Sequence, residues 1–375
     1  MTTTAAPGLE GVVVAETHIG DVRGAEGFFH YRQYSAVDLA ERRTFEDVWY
    51  LMVHDELPDA TGAAEFGERV TALRSLPPGF DETLALLAEG TPLEVLRSGV
   101  SALGAAAGWG PTLDIDRDEL VDQALRLGAV VPTIVAAAHR LRHGERPLAP
   151  RADLGHVANL LWMVTGSEPT PAQVRALEQY LILTVDHGFN ASTFTARVIT
   201  STGADLASAV CGAIGALSGP LHGGAPSRAL DMLDQVDGPG DAERWVRDTV
   251  AAGDRVMGFG HRVYSTDDPR SVLLRRVAQQ LGGERAEAAL AVEAAVVRTL
   301  AELKPGRSLF TNVEFYAGVV MEACGLPREM FTPTFAASRT IGWCAHVLEQ
   351  AGANRLIRPS ARYVGPPAPQ PVPSA

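Results

Sequence analysis

Apolar residues that recur at helical spacing and break off at prolines, with no sustained strand alternation, restrict this chain to a helical fold. Proline lacks a backbone N–H and clashes inside a helix, so Pro58, Pro77, Pro78, Pro92 and Pro111 mark boundaries between successive helices. One helix is predicted from near Ala36 through Glu46-Asp47-Val48-Trp49-Tyr50-Leu51-Met52-Val53. A second covers 171–186 and carries Val174, Leu177, Leu181 and Val185 on one face. Further helices are expected over 205–217, 271–280, 286–303 and 315–324. The only strand-like run is Gly11-Val12-Val13-Val14-Ala15, ahead of a glycine-rich polar stretch, and no internal repeat is evident. A hydrophobic content of 46% suffices for a packed core, and 375 residues exceed what one core usually holds. The expectation is an all-α chain of one large and one small domain.

Charge and cysteine usage narrow the function. The net charge of −13, with Lys304 the only lysine, disfavours nucleic acid and anionic membrane as partners. Anionic substrates would need a local arginine cluster. Cys211, Cys324 and Cys344 are far apart among apolar neighbours, so buried reduced thiols are expected rather than a disulfide framework or a zinc site. Met1 to Gly8 has neither a basic flank nor an apolar core, so no secretory leader is expected. No apolar run approaches the roughly 20 residues that span a bilayer. A cytoplasmic protein follows.

Chemistry concentrates in turns and at helix ends. In Met257-Gly258-Phe259-Gly260-His261-Arg262-Val263-Tyr264 a histidine follows two glycines, which let backbone approach a ligand closely. Asp268-Pro269-Arg270 then sends an arginine out of a forced turn. A histidine can hydrogen-bond a carbonyl and an arginine can clamp a carboxylate through two parallel bonds, which suits a keto acid. A solvated polar loop is the other reading. His222 sits in Ser218-Gly219-Pro220-Leu221-His222-Gly223-Gly224-Ala225-Pro226, where two prolines and three glycines constrain one histidine. His187 follows the 171–186 helix, where the dipole alone would favour it, and Asn190-Ala191-Ser192-Thr193 can cap the next helix. Glu314 in Thr311-Asn312-Val313-Glu314 reads equally as a capping-box glutamate bonding back to Thr311. Phe335, Arg339, Trp343 and His346 share a helical face, and Arg339 has no acidic neighbour one turn away, so its partner lies elsewhere in the fold or is a ligand anion. His139 and His143 lie four apart, but no nearby carboxylate completes a metal pattern, and a cationic last turn before Gly144 explains them; no metal is expected.

No P-loop, dinucleotide fingerprint or nucleophile elbow appears, so phosphoryl transfer, hydride transfer and serine hydrolysis lose ground. What remains includes proton abstraction and carbon–carbon bond formation on carboxylate substrates, chemistry that needs a carboxylate base, a neutral donor and cations. Gly219-Pro220-Leu221-His222-Gly223-Gly224-Ala225, Gly258 through Tyr264 with Asp268-Pro269-Arg270, Asn312-Val313-Glu314-Phe315-Tyr316 and Arg339-Thr340-Ile341-Gly342-Trp343 together resemble the citrate synthase family. The resemblance runs from Gly8-Leu9-Glu10-Gly11 to Arg358-Pro359 and Tyr363-Val364-Gly365, and looks most like the short actinobacterial citrate synthase 2 type.

The resemblance implies an almost wholly helical homodimer. Its large domain would be residues 1–222 and 328–375, with 366–375 a disordered tail, and its small domain, 223–327, would close over the substrates. It further implies condensation of acetyl-CoA, a substrate, with oxaloacetate, and no cofactor. His222 would hold the thioester carbonyl, Glu314 would take the methyl proton and His261 would polarise the ketone. His187, Arg270 and Arg339 would hold the carboxylates, with Arg358 reaching in from the partner subunit. Gly258, Phe259, Gly260, Arg262 and Arg362 are the candidate CoA contacts. The chain departs from the family pattern at Glu314, where aspartate is usual, and at Ser265, where many relatives carry a basic residue. Two other functions stay open: a 2-methylcitrate synthase using propionyl-CoA, and a non-catalytic dicarboxylate- or CoA-binding protein. The short N-terminus lacks the extra domain of NADH-inhibited relatives, so no NADH regulation is expected.

Overall fold

The computed structural model describes residues 6–223, 225–261, 263–307 and 309–373. Its strands form one small antiparallel sheet, β1 (Gly20–Arg23), β2 (Phe28–Tyr31) and β3 (Tyr34–Ser35), in the order β1-β2-β3. Gly20 pairs with Tyr31, and His30 with Ser35. Phe29 and Tyr31 turn one way into the core while Phe28 and His30 stay half-buried, the period-two pattern of a strand. The expected strand at 11–15 is not one: Val12, Val13 and Val14 are exposed and irregular. Three valines in a row lack alternation, and no ladder forms beside them among the described residues.

The predicted helix over 36–53 is two, α1 (Ala36–Arg42) and α2 (Phe45–His54). Thr44 breaks it by taking extended backbone and forming a reciprocal capping box with Asp47, a local hydrogen bond that competes with helix continuation. There follow α3 (Ala60–Leu73), α4 (Phe80–Ala85), α5 (Pro92–Ala106), α6 (Arg117–Arg142), α7 (His156–Thr165) and α8 (Pro171–Thr184). Next come α9 (Ala191–Ser201), α10 (Leu206–Leu217), α11 (Ala225–Gln235), α12 (Pro239–Ala251), α13 (Pro269–Leu281), α14 (Glu284–Leu303), α15 (Val313–Ala323) and α16 (Phe331–Gly352). Pro92, Pro171, Pro239 and Pro269 each stand in the first turn of a helix, where the missing N–H costs nothing.

The core is built around α6 and α16, which pack on each other. The expectation that no segment could span a bilayer fails on α6, whose best 18-residue window has a mean hydropathy of 1.4. That window is 89% buried inside the protein, which makes α6 a core helix. Helix α16 also packs on α8, α9 and α10. A Cβ at Gly342 would run into the carbonyl of Val185, so only glycine lets α16 approach the end of α8 this closely. Helices α11 to α15 pack largely on one another, α12 on α14 and α13 on α15, and meet the rest chiefly through α8. After α16 the chain is irregular, and 366–373 is exposed.

Candidate active site

Three turns and the helices α13, α15 and α16 bring side chains to a cavity of about 1150 Å³. His187, His222, His261, Arg270, Glu314 and Arg339 all line it, so the histidines, the carboxylate and two of the arginines singled out in the sequence come together.

His222 follows α10 in a turn closed by its own amide onto the Gly219 carbonyl. Its Nε2 meets the Ser192 backbone N–H at 3.3 Å and the Ser192 hydroxyl at 2.9 Å. A backbone amide only donates, so Nε2 accepts and Nδ1 carries the hydrogen. Ser192 lies in the first turn of α9, whose N-cap is Asn190. Burial, with Arg339 nearby, pushes the His222 pKa down to about 4, so the ring is a neutral donor at pH 7.

His261 is fixed the same way from the other nitrogen. Its Nδ1 accepts from the amides of Val263 and Tyr264, each at 3.0 Å, which leaves the hydrogen on Nε2. Burial, then Arg270, lowers its pKa to about 4. Nε2 stands 3.2 Å from Arg270 Nη2, so two N–H groups point at one place. Two donors cannot bond each other, and an acceptor oxygen between them would satisfy both.

Arg270 is held by Asp268, which is 1% exposed. The Asp268 carboxylate accepts from Arg270 Nε at 2.9 Å, Arg270 Nη2 at 2.8 Å and the Arg270 amide at 3.0 Å. It also accepts from the Val313 amide at 3.1 Å and so ties this arginine to the start of α15. Arg339 donates Nε to the Thr184 carbonyl at 2.8 Å and lies over the Phe335 ring. Its two terminal nitrogens have no partner among the described residues, which answers what its partner might be: a backbone carbonyl, and room for an anion. His187 contacts the Tyr264 hydroxyl through Nε2 at 2.9 Å, and burial, then Arg270 and Arg339, holds its pKa well below the usual value.

The capping box expected at Thr311 is not formed. Thr311 donates its hydroxyl to Glu293 at 2.7 Å, and Asn312 is the N-cap of α15, accepting from the Glu314 amide at 3.1 Å. Asparagine supplies the better cap, so the Glu314 carboxyl is released toward the cavity and has no hydrogen-bond partner among the described residues. Burial raises its pKa to about 7, with Arg270 opposing and Asp268 reinforcing the shift. Asn312 also donates its amide to the Gly258 carbonyl at 2.9 Å and its side chain to the Gly260 carbonyl at 3.0 Å. Gly258 and Gly260 both take left-handed φ, 86° and 84°, and this is what lays His261 beside Glu314's helix.

The CoA candidates fare unevenly. Gly260 lines the cavity; Gly258 does not, and Phe259 is turned inward against Phe315 with ring centroids 5.3 Å apart. Arg262 lies outside the described residues. Arg358 and Arg362 are exposed in the segment after α16 and do not line this chain's cavity. Arg255, which the sequence did not single out, does line it. The sequence also missed Asp268, Tyr264 and Ser192; the Asp-Pro step, with aspartate as N-cap before a first-turn proline, was the available signal for Asp268. At His139 and His143 the fold supplies the carboxylate that the local sequence lacks, since Glu329 lies 2.6 Å from His139 Nδ1. Arg142 Nε stands 3.7 Å from the same carboxylate, so the group is an ion-paired cluster outside the cavity.

Comparison with known proteins identifies the family. The family described as "Citrate synthase, C-terminal domain" matches residues 8–360. The chain is 40% identical over 363 residues to the citrate synthase of Haloferax volcanii, covering 96% of this chain and 95% of that one. It is also 40% identical over 366 residues to the 2-methylcitrate synthase of Mycobacterium tuberculosis, covering 96% and 90%. The solved structure of a citrate synthase from Thermoplasma acidophilum, a ternary complex with carboxymethyl coenzyme A and oxaloacetate, superposes with a TM-score of 0.90 at 29% identity, covering 99% of each chain. The chain belongs to the citrate synthase family, whose members are all-α, two-domain enzymes.

Proposed function

We propose that this enzyme condenses acetyl-CoA with oxaloacetate and hydrolyses the resulting thioester to citrate and CoA. One observation carries the reading: a half-buried Glu314 carboxyl without a hydrogen-bond partner among the described residues, its pKa raised to about 7, shares a cavity with two neutral, tautomer-fixed histidines and two arginines. A base of that pKa is matched to abstraction of a weakly acidic proton near neutral pH.

In this reading Glu314 removes a methyl proton from the thioester, and His222 Nδ1–H bonds the developing enolate oxygen. The enolate carbon attacks the ketone carbon of oxaloacetate. The ketone oxygen lies between His261 Nε2–H and Arg270 Nη2, the place where two donors converge at 3.2 Å, and its rising negative charge is met there and protonated from His261. His187, Arg270 and Arg339 take the carboxylates, each arginine offering unoccupied terminal N–H groups. Water then cleaves the citryl thioester. The residues supply base, donors and cations themselves, so no metal or cofactor takes part in these steps. Gly260 and Arg255 line the cavity, and we assign them as CoA contacts. Residues 223–327 move as a small domain that closes over the substrates and excludes water. The enzyme acts as a cytoplasmic homodimer in which the exposed Arg358 completes the partner's site.

Release of free CoA thiol with oxaloacetate, compared for acetyl-CoA and propionyl-CoA, tests the assignment. A higher kcat/KM for acetyl-CoA is expected. A preference for propionyl-CoA would make the chain a 2-methylcitrate synthase, and no release with either would refute both.

A further inference from the structure

Next to the cavity-lining His187 turn lies a buried chain of polar groups that the reaction does not use. His346 on α16 is 1% exposed, Asp186 at the end of α8 2%, and Arg197 on α9 4%. Arg197 Nη1 lies 3.1 Å from His346 Nδ1. A guanidinium carries only donors, so Nδ1 must accept and the ring hydrogen is on Nε2. That Nε2 donates to Asp186 Oδ1 at 3.2 Å. Asp186 Oδ2 accepts the Gly188 amide at 3.0 Å, across the turn that carries His187. Arg197 is itself matched, pairing with Glu349 and donating Nε to Gln350 at 3.0 Å. The ring is thus a one-way link, with a donor forced on one side and an acceptor on the other.

Asp186 is a neighbour of Arg339: its Cβ lies 3.4 Å from where a Cβ on Gly342, three residues along α16, would stand, and its charge opposes the lowering of the Arg339 pKa by burial. Although burial opposes it, His346, Arg339 and the Gly188 amide hold Asp186 below the usual carboxylate range, so it is an anion at neutral pH. It makes no contact ion pair with Arg339, whose bonded partner is the Thr184 carbonyl. An anion and a cation buried near each other in low dielectric attract strongly unless other bonds hold them apart. The bonds that do so are those from His346 and Gly188.

The geometry points to His346 as a positioning residue that ties Asp186 back from Arg339 and so keeps the Arg339 guanidinium open to a substrate carboxylate. The inference rests on the oxaloacetate reading of the cavity. Without the tie, the Asp186 carboxylate swings to the terminal nitrogens of Arg339 and competes with the substrate from inside the protein.

Oxaloacetate binding by calorimetry, on the full chain, reads this directly. His346→Met keeps the volume and removes both bonds, and raises the Kd for oxaloacetate about ten-fold or more, the scale of one charge-assisted hydrogen bond. His346→Gln can accept from Arg197 and donate to Asp186, and restores affinity to within about three-fold. Adding Asp186→Asn to His346→Met removes the competing charge and also restores binding. The KM for acetyl-CoA stays unchanged throughout, which a general loss of structure would not allow. His346→Asn, too short to span from Arg197 to Asp186, serves the same arm should His346→Met not fold. Equal affinities for the Met and Gln variants, or no recovery in the double variant, overturn the inference while leaving the oxaloacetate reading standing. Failure of the unmodified enzyme to bind oxaloacetate would overturn that reading and this inference with it.

Discussion

Glu314 is the residue on which the chemistry turns, and its environment sets a pH dependence. Its pKa is raised to about 7, mainly by burial, and the base works only when ionised. His222 and His261, pushed down to about 4, do not change charge above pH 5. Activity is therefore expected to fall as pH drops below about 7, with kcat/KM for oxaloacetate losing roughly ten-fold per unit on that limb. A limb centred near 4.5, the value of an unperturbed glutamate, would contradict the burial argument. His187, His222, His261 and Arg270 were legible as candidates because each sits beside glycines, a proline or a cap, and Arg339 because it shares a helical face with aromatic residues and has no acidic neighbour one turn away. The orientation of Glu314 was not. Thr311 and Asn312 are both capping residues, and only the fold shows Thr311 drawn away by Glu293, a partner 18 positions upstream. Asp268 was missed for the same reason, since one of its partners, the Val313 amide, is 45 positions away.

Among the elements, α16 and the end of α8 have to approach closely for Arg339 to reach the Thr184 carbonyl beside the His187 turn. Gly342 permits that approach, because a Cβ there would strike the Val185 carbonyl. Gly342→Ala is expected to destabilise the chain by about 1–3 kcal/mol, the usual cost of overpacking, and to raise the KM for oxaloacetate more than that for acetyl-CoA. Thermal denaturation and steady-state kinetics check both; an unchanged Tm and KM would mean the helices can separate freely. Helix existence was legible from period and proline placement, and the capped starts at Asn190 and Asp205 lie where the sequence puts them. The break at Thr44 and the sheet over 20–35 were not. Continuous apolar patterning hides a cap in mid-run, and strands of two to four residues are too short to show alternation.

For the whole molecule, Arg358 is exposed after α16 and outside its own chain's cavity, as an arginine serving a neighbouring subunit would be. If sites are shared, Glu314→Gln and Arg358→Gln chains, each inactive alone, form mixed dimers with one intact site. Mixing them through reversible unfolding should recover about a quarter of wild-type activity, as random pairing in a two-fold dimer requires. No recovery from dimers of the correct size would show that Arg358 serves its own chain's site and not the partner's. The account as a whole is tested most directly by Glu314→Gln alone, with CoA thiol release and oxaloacetate binding measured on one preparation. The account predicts that turnover falls by at least about 100-fold, the lower range for loss of a general base, while oxaloacetate affinity stays within about three-fold of wild type. Turnover that survives the substitution would show that Glu314 is not the base and that the proton leaves by another group.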